Sequence, residues 1–78
     1  MRLDLYLKDS RIIKRRTIAK VFCERGLVKV NNKTAKPSFD VKSGDLIQIK
    51  FGDKEFTIKA IVETVGKKEK ASYDQFES

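Results

Sequence analysis

Residues 10–20 read SRIIKRRTIAK and hold five cations, Arg11, Lys14, Arg15, Arg16 and Lys20, around the apolar Ile12, Ile13, Ile18 and Ala19. Guanidinium and ammonium groups at this density suit one chemistry above others, the holding of phosphate oxygens. An arginine can give two parallel hydrogen bonds to one phosphate or stack on a base, whereas a lysine acts as a point charge. Arg16 and Lys20 lie four residues apart. On a helix that spacing puts two like charges on one face, at a cost of roughly a few tenths of a kcal/mol. Arg2 raises the same question, because a cation at a helix start opposes the macrodipole. Residues that are locally unfavourable are easiest to explain by something they bind.

The wider charge distribution agrees. The chain of 78 residues has a net charge of +7. Residues 1–36 carry eleven Lys/Arg against three Asp/Glu, while residues 37–78 carry seven against eight. The whole positive excess therefore sits in the first half, an electrostatic footprint for a polyanion rather than an evenly solubilised surface. The alternative is a solvated basic face without a partner, or one that meets an acidic protein or duplex DNA.

Other chemistries find few residues to work with. There is no histidine, and Cys23 is the single cysteine, so neither an internal disulfide nor most zinc sites can be built. No Ser or Cys has a plausible base, the acids are scattered over turns and strand ends, and no Gly-rich phosphate loop is present. An enzyme is not expected, nor a cofactor. The apolar runs are too short to span a membrane, and the N-terminus MRLDLYLKDSR lacks the pattern of a signal peptide. A cytoplasmic monomer is the expectation.

The elements that must position the cations follow from periodicity. Leu3, Tyr6 and Leu7 predict a short helix over residues 2–8, with Asp4 and Lys8 as an i,i+4 pair. A second helix is expected from about Arg15 to Arg25, ended by Gly26 as a left-handed cap. A helical wheel places Ile18, Ala19, Val21, Phe22 and Cys23 on a core-facing arc and Arg16, Thr17, Lys20 and Glu24 opposite. The period then changes to two. Residues 27–30 predict a strand, Asn31-Asn32 a tight turn, and residues 33–36 the return, ended by Pro37. Residues 46–51 and 55–62 predict two longer strands, with Phe56, Ile58, Ala60 and Val62 on the core face. The last stretch, GKKEKASYDQFES over 66–78, reads as a polar C-terminal tail, frayed or forming one helical turn. The fold class is α+β: two N-terminal helices packed on a small antiparallel sheet of four or five strands.

Residues 16–47 resemble the S4 RNA-binding domain in Arg16, Ala19, Gly26, Val28, Val30, Asn31, Pro37, Ser38, Gly44, Asp45 and Ile47. The front of the chain is similar to the small stand-alone S4 proteins, the fifteen-kilodalton heat-shock type and the shorter RqcP proteins. It shares Arg2, Leu3, Asp4, Tyr6, Leu7 and Lys8, then Lys14, Arg15, Arg16 and Thr17. Two positions depart from the pattern: Leu5 where a lysine is usual and Asn32 where a hairpin glycine is usual. The resemblance implies an S4-type, alpha-L fold over residues 1–65. It also implies an RNA-binding accessory factor on rRNA and tRNA of the large ribosomal subunit, in quality control of stalled nascent chains. Other quality-control factors on that subunit would be further partners.

The expected RNA-binding residues are Arg2, Lys8, Arg11, Lys14, Arg15, Arg16, Thr17, Lys20, Lys29 and Lys36. Arg16 and Arg2 lead, and the lysines extend the patch as phosphate contacts without base information. Thr17 can donate to phosphate or serve the helix start. Lys29, Lys33 and Lys36 sit on or near the first hairpin, where they can equally be solubilising edge charges. Tyr6 can stack on a base, although its spacing with Leu3 favours packing. Asp45, after a turn glycine, is expected to cap backbone N–H groups. Cys23 is expected to be inert packing.

Overall fold

The computed structural model describes residues 1–76. Two helices, α1 (Leu3–Asp9) and α2 (Arg16–Glu24), precede five strands: β1 (Val28–Val30), β2 (Lys33–Thr34), β3 (Leu46–Phe51), β4 (Lys54–Val65) and β5 (Lys68–Gln75). The strands form one antiparallel sheet in the order β2-β1-β3-β4-β5.

Each helix ends for a local reason. In α2, Gly26 takes φ +73°. Its N–H bonds the Cys23 carbonyl, and the Leu27 N–H bonds that of Phe22. This pair of bonds is the Schellman arrangement, and it turns the chain directly into β1. In α1 the corresponding left-handed position is Arg11, at φ +65°, where the family of stable choices is glycine or asparagine. The expected hairpin turn is also present. Asn31 and Asn32 both have positive φ, the two-residue geometry that matches strand twist. The Asn31 side chain accepts from Leu46 N–H and donates to Asp45, which in turn accepts from Lys42 N–H. Asp45 thus ties turns together, the structural role its position suggested.

The core lies between the helices and one face of the sheet. Val28, Val30, Ile47, Ile49, Ile58 and Ala60 are buried from the sheet, against Leu3, Tyr6, Leu7, Ile13, Ala19 and Cys23. Cross-strand rows such as Val30, Ile47 and Ile58 place these side chains side by side. Truncating one of them to alanine would cost about 2–5 kcal/mol by transfer and cavity terms. Tyr6 is wholly buried, and its hydroxyl donates to the Ser72 carbonyl on β5. Burial pushes its pKa up to about 12. It docks α1 on the sheet and is closed to any base.

Three expectations are corrected. Residues 68–75, expected as a frayed tail or a helical turn, form β5 and pair with β4 from Ile58 to Val65. The end of that stretch, Glu77 and Ser78, lies outside the described residues. The buried arc of α2 is rotated: Ala19 and Cys23 are buried and Phe22 half-buried, whereas Ile18 and Val21 are 45% and 41% exposed. The contact with α1 runs along the small residues, because these let the two helices approach closely. Phe56, expected in the core, is 47% exposed at the open end of the sheet.

Candidate nucleic-acid interface

The rotation of α2 changes what Arg16 faces. On a wheel, Arg16 and Lys20 flank the Ala19/Cys23 seam instead of opposing it. Across that seam stands Asp4 of α1, with only 3% of its side chain exposed. Arg2 gives Asp4 two hydrogen bonds, Nε to Oδ1 and Nη2 to Oδ2, both 3.3 Å. Arg16 Nε lies 3.5 Å from Oδ2. The pair expected between Asp4 and Lys8 does not form. Lys8 instead meets Asp9 at 3.8 Å.

One buried carboxylate therefore anchors two arginines that are themselves half exposed, at 52% and 48% of their side chains. Burial alone would raise the Asp4 pKa. The Arg2 hydrogen bonds, the Leu5 N–H and the charges of Arg16 and Arg2 outweigh it, holding the carboxyl below its ordinary value. The acid stays ionised, and two guanidiniums against one carboxylate leave a positive charge. Arg2, Asp4, Arg16, Thr17 and Lys20 line one open pocket of about 280 Å³. Arg16 meets no carboxylate other than Asp4, and Lys20 has no carboxylate partner, among the described residues. The like-charge pair on α2 is thus relieved by a carboxylate from another helix.

The two helix starts differ in the same sense. In α1 the first N–H groups are satisfied: Leu3 by the Phe39 carbonyl, Asp4 by that of Pro37, Leu5 by the Asp4 side chain. Arg15, the N-cap of α2, gives it no side-chain cap, and the first turn of α2 holds no acid. Its unpaired N–H groups and the positive end of its dipole adjoin Arg15 and Arg16, which favours an anion there.

The remaining predicted residues separate. Lys8, Arg11 and Lys14 gather with Asp9 around a second pocket of about 440 Å³. Lys29 lies on the outer sheet face, where it lines a third, of about 260 Å³, with Gln48, Lys50 and Glu55. Arg15, Lys33 and Lys36 are exposed and line none of these three. Sequence reasoning missed Asp4 as the anchor and Lys50 as the neighbour of Lys29. The available signal for Asp4 was a carboxylate beside the Leu3/Leu7 stripe, next to a core that would otherwise exclude it. Among the described residues, no group of three or more His, Cys, Asp or Glu is placed to hold a metal. Among the described residues, no helix is long and apolar enough to cross a membrane.

The S4 domain family matches residues 1–47, which hold both helices, the first hairpin and the Asp45 turn. The chain belongs to the S4 domain family. This S4 domain is 55% identical over 73 residues to the RQC P-site tRNA stabilizing factor of Listeria innocua, spanning 92% of this chain and 79% of that protein. The Bacillus subtilis protein of the same name is 45% identical over 74 residues, spanning 92% of this chain and 86% of its own length. Among solved structures, the Heat Shock Protein 15 of Vibrio cholerae, described as trimeric, superposes with a TM-score of 0.72 at 30% identity, covering 92% of this chain and 81% of that one. The resemblance to the stand-alone S4 proteins and the α+β S4 fold both hold.

Proposed function

We propose that this S4 domain binds folded RNA on the large ribosomal subunit and steadies P-site tRNA there during quality control of stalled nascent chains. Its partners on this reading are rRNA and tRNA, it works in the cytoplasm as a monomer, and it catalyses no reaction. The observation that carries the reading is the buried Asp4 holding Arg2 and Arg16 together beside Lys20. A preset pair of guanidiniums recognises phosphate position and RNA shape, which is how folded RNA is read where base edges are closed. Lys14, Arg15 and Thr17 extend the surface at the uncapped start of α2. Lys8, Arg11, Lys29 and Lys36 are outlying phosphate contacts. The similarity to factors named for stabilising P-site tRNA supports the same direction.

The test is association with purified large subunits carrying peptidyl-tRNA, followed by co-sedimentation over a salt series. Roughly 4–6 phosphate contacts give a steep fall of log K with log salt, at about 0.9 per phosphate. Arg16→Ala weakens association and flattens that slope by about one contact while the domain stays folded. An unchanged pellet fraction for Arg16→Ala would refute the role of Arg16, an association that resists salt would refute the phosphate contacts, and one that survives RNase would favour an acidic protein partner.

A further inference from the structure

The helices leave one end of the sheet's inner face uncovered, where Phe56 is exposed. There Phe22, Phe51 and Phe56 form a packed aromatic row, with centroids 5.3 and 5.7 Å apart. The row ends at the surface in Phe56, 47% exposed, with Tyr73 of β5, 40% exposed, lining the same groove. Phe56, Ile58, Tyr73 and Phe51 line a groove of about 250 Å³ whose rim carries Arg11 and Gln75. The T-shaped contact with Phe51 seats the Phe56 ring while the residue stays half exposed. Two large aromatics thus stand half in water along one groove.

Arg11 also belongs to the basic pocket it shares with Lys8, Lys14 and Asp9, three cations against one acid that meets Lys8 at 3.8 Å. The aromatic groove and a cluster of cations therefore meet at a single side chain. Arg11 stands in a left-handed backbone conformation that a side chain ordinarily avoids. An apolar slot with aromatic walls, an amide at its rim and phosphate-binding cations at its mouth has the complement of one unpaired nucleotide. Base on aromatic ring, phosphate on Arg11, Lys8 and Lys14 is the arrangement by which proteins hold splayed-out RNA bases.

We infer that the groove between Phe56 and Tyr73 receives an unpaired RNA base, with its phosphate held by Arg11, Lys8 and Lys14. The inference rests on the RNA-binding reading above and adds a second contact, specific for single-stranded nucleotides rather than for helical shape.

The probes are a short RNA stem with an unpaired overhang and the same stem with blunt ends, measured by fluorescence anisotropy. Wild type prefers the overhang. Phe56→Leu and Tyr73→Leu, which keep apolar bulk but remove the ring face, lose that preference. Each weakens overhang binding by about 5- to 150-fold, the worth of one base–aromatic stack, and leaves the blunt stem unchanged. Arg16→Ala weakens both probes. Equal binding of the overhang by the variants and wild type overturns the inference, and so does an equal loss for the blunt stem. A fall in self-association of the RNA-free protein in Tyr73→Leu also overturns it, since the groove would then hold a second copy. If wild type binds neither probe, the RNA reading itself fails, a separate result. A measurement on the unaltered protein guards against misfolded variants. Adenosine monophosphate should shift the ring resonances of Phe56 and Tyr73, and saturation without such shifts counts against the site.

Discussion

Replacing Asp4 with asparagine separates orientation from charge. If Asp4 merely neutralises its neighbours, Asp4→Asn raises the positive charge of the pocket and RNA binding tightens. If Asp4 sets the arginines in place, binding weakens although the protein has become more basic. The structure predicts the second outcome. Arg2 and Arg16 are held at 3.3 and 3.5 Å from the carboxylate. Without it each must be ordered on binding, at about 0.5–1.5 kcal/mol per long side chain. For the two arginines this is about 1–3 kcal/mol, or roughly 5- to 150-fold in Kd. The opposing gain from losing one negative charge beneath two half-exposed arginines, where solvent screens its effect on RNA, is below about 1 kcal/mol. The variant also loses charge-assisted bonds in the fold, discounted here because both arginines are half exposed, to about 1–2 kcal/mol. That corresponds to a fall in Tm of about 4–16 °C for a domain of this size, so binding must be measured well below the transition. The assay is anisotropy with a structured RNA at two salt concentrations, beside thermal unfolding of both proteins. Binding by Asp4→Asn that equals or exceeds wild type, with the fold intact, would refute the orienting role.

Arg11→Gly should stabilise the domain by about 0.5–1 kcal/mol, because glycine relieves the left-handed backbone, while weakening RNA; denaturant midpoints and anisotropy on one protein sample check both signs. Acid should remove the contribution of Asp4. Its pKa is depressed in the folded state, so its stabilisation is fully present above the ordinary value of 3.8 and is lost as pH falls through the lower folded value. The stability gap between wild type and Asp4→Asn should therefore be flat near neutrality and shrink below that point; a gap that persists in acid contradicts the ion pairs. Cys23 is buried, and burial with the nearby Asp4 and Glu24 charges pushes its thiol up to about 11. It should stay unreactive toward a disulfide reagent at mildly alkaline pH until denaturant is added, and fast native labelling would show the α1/α2 seam to be open.

What the sequence determined by itself was whatever rests on neighbours along the chain. Helical spacing placed α1 and α2 to within a residue or two at each end. Gly26 as a left-handed cap and Asn31-Asn32 as a two-residue turn follow from backbone sterics, and alternation marked β1, β3 and the middle of β4. Charge counting located the basic half. Tertiary structure decided the rest. KEKASYDQ has almost no apolar alternation, and it becomes β5 because β4 offers an unpaired edge whose N–H and C=O groups need partners. The rotation of α2 was invisible on a wheel, since Ile18 and Val21 look as apolar as Ala19 and Cys23; close approach of two helices selects small side chains over large ones. That rotation turned Arg16 toward Asp4 and made a carboxylate from one helix the anchor for cations from two. Spacing along a chain shows which side chains share a face, but only packing shows which faces meet, and the Asp4 anchor exists where two of them do.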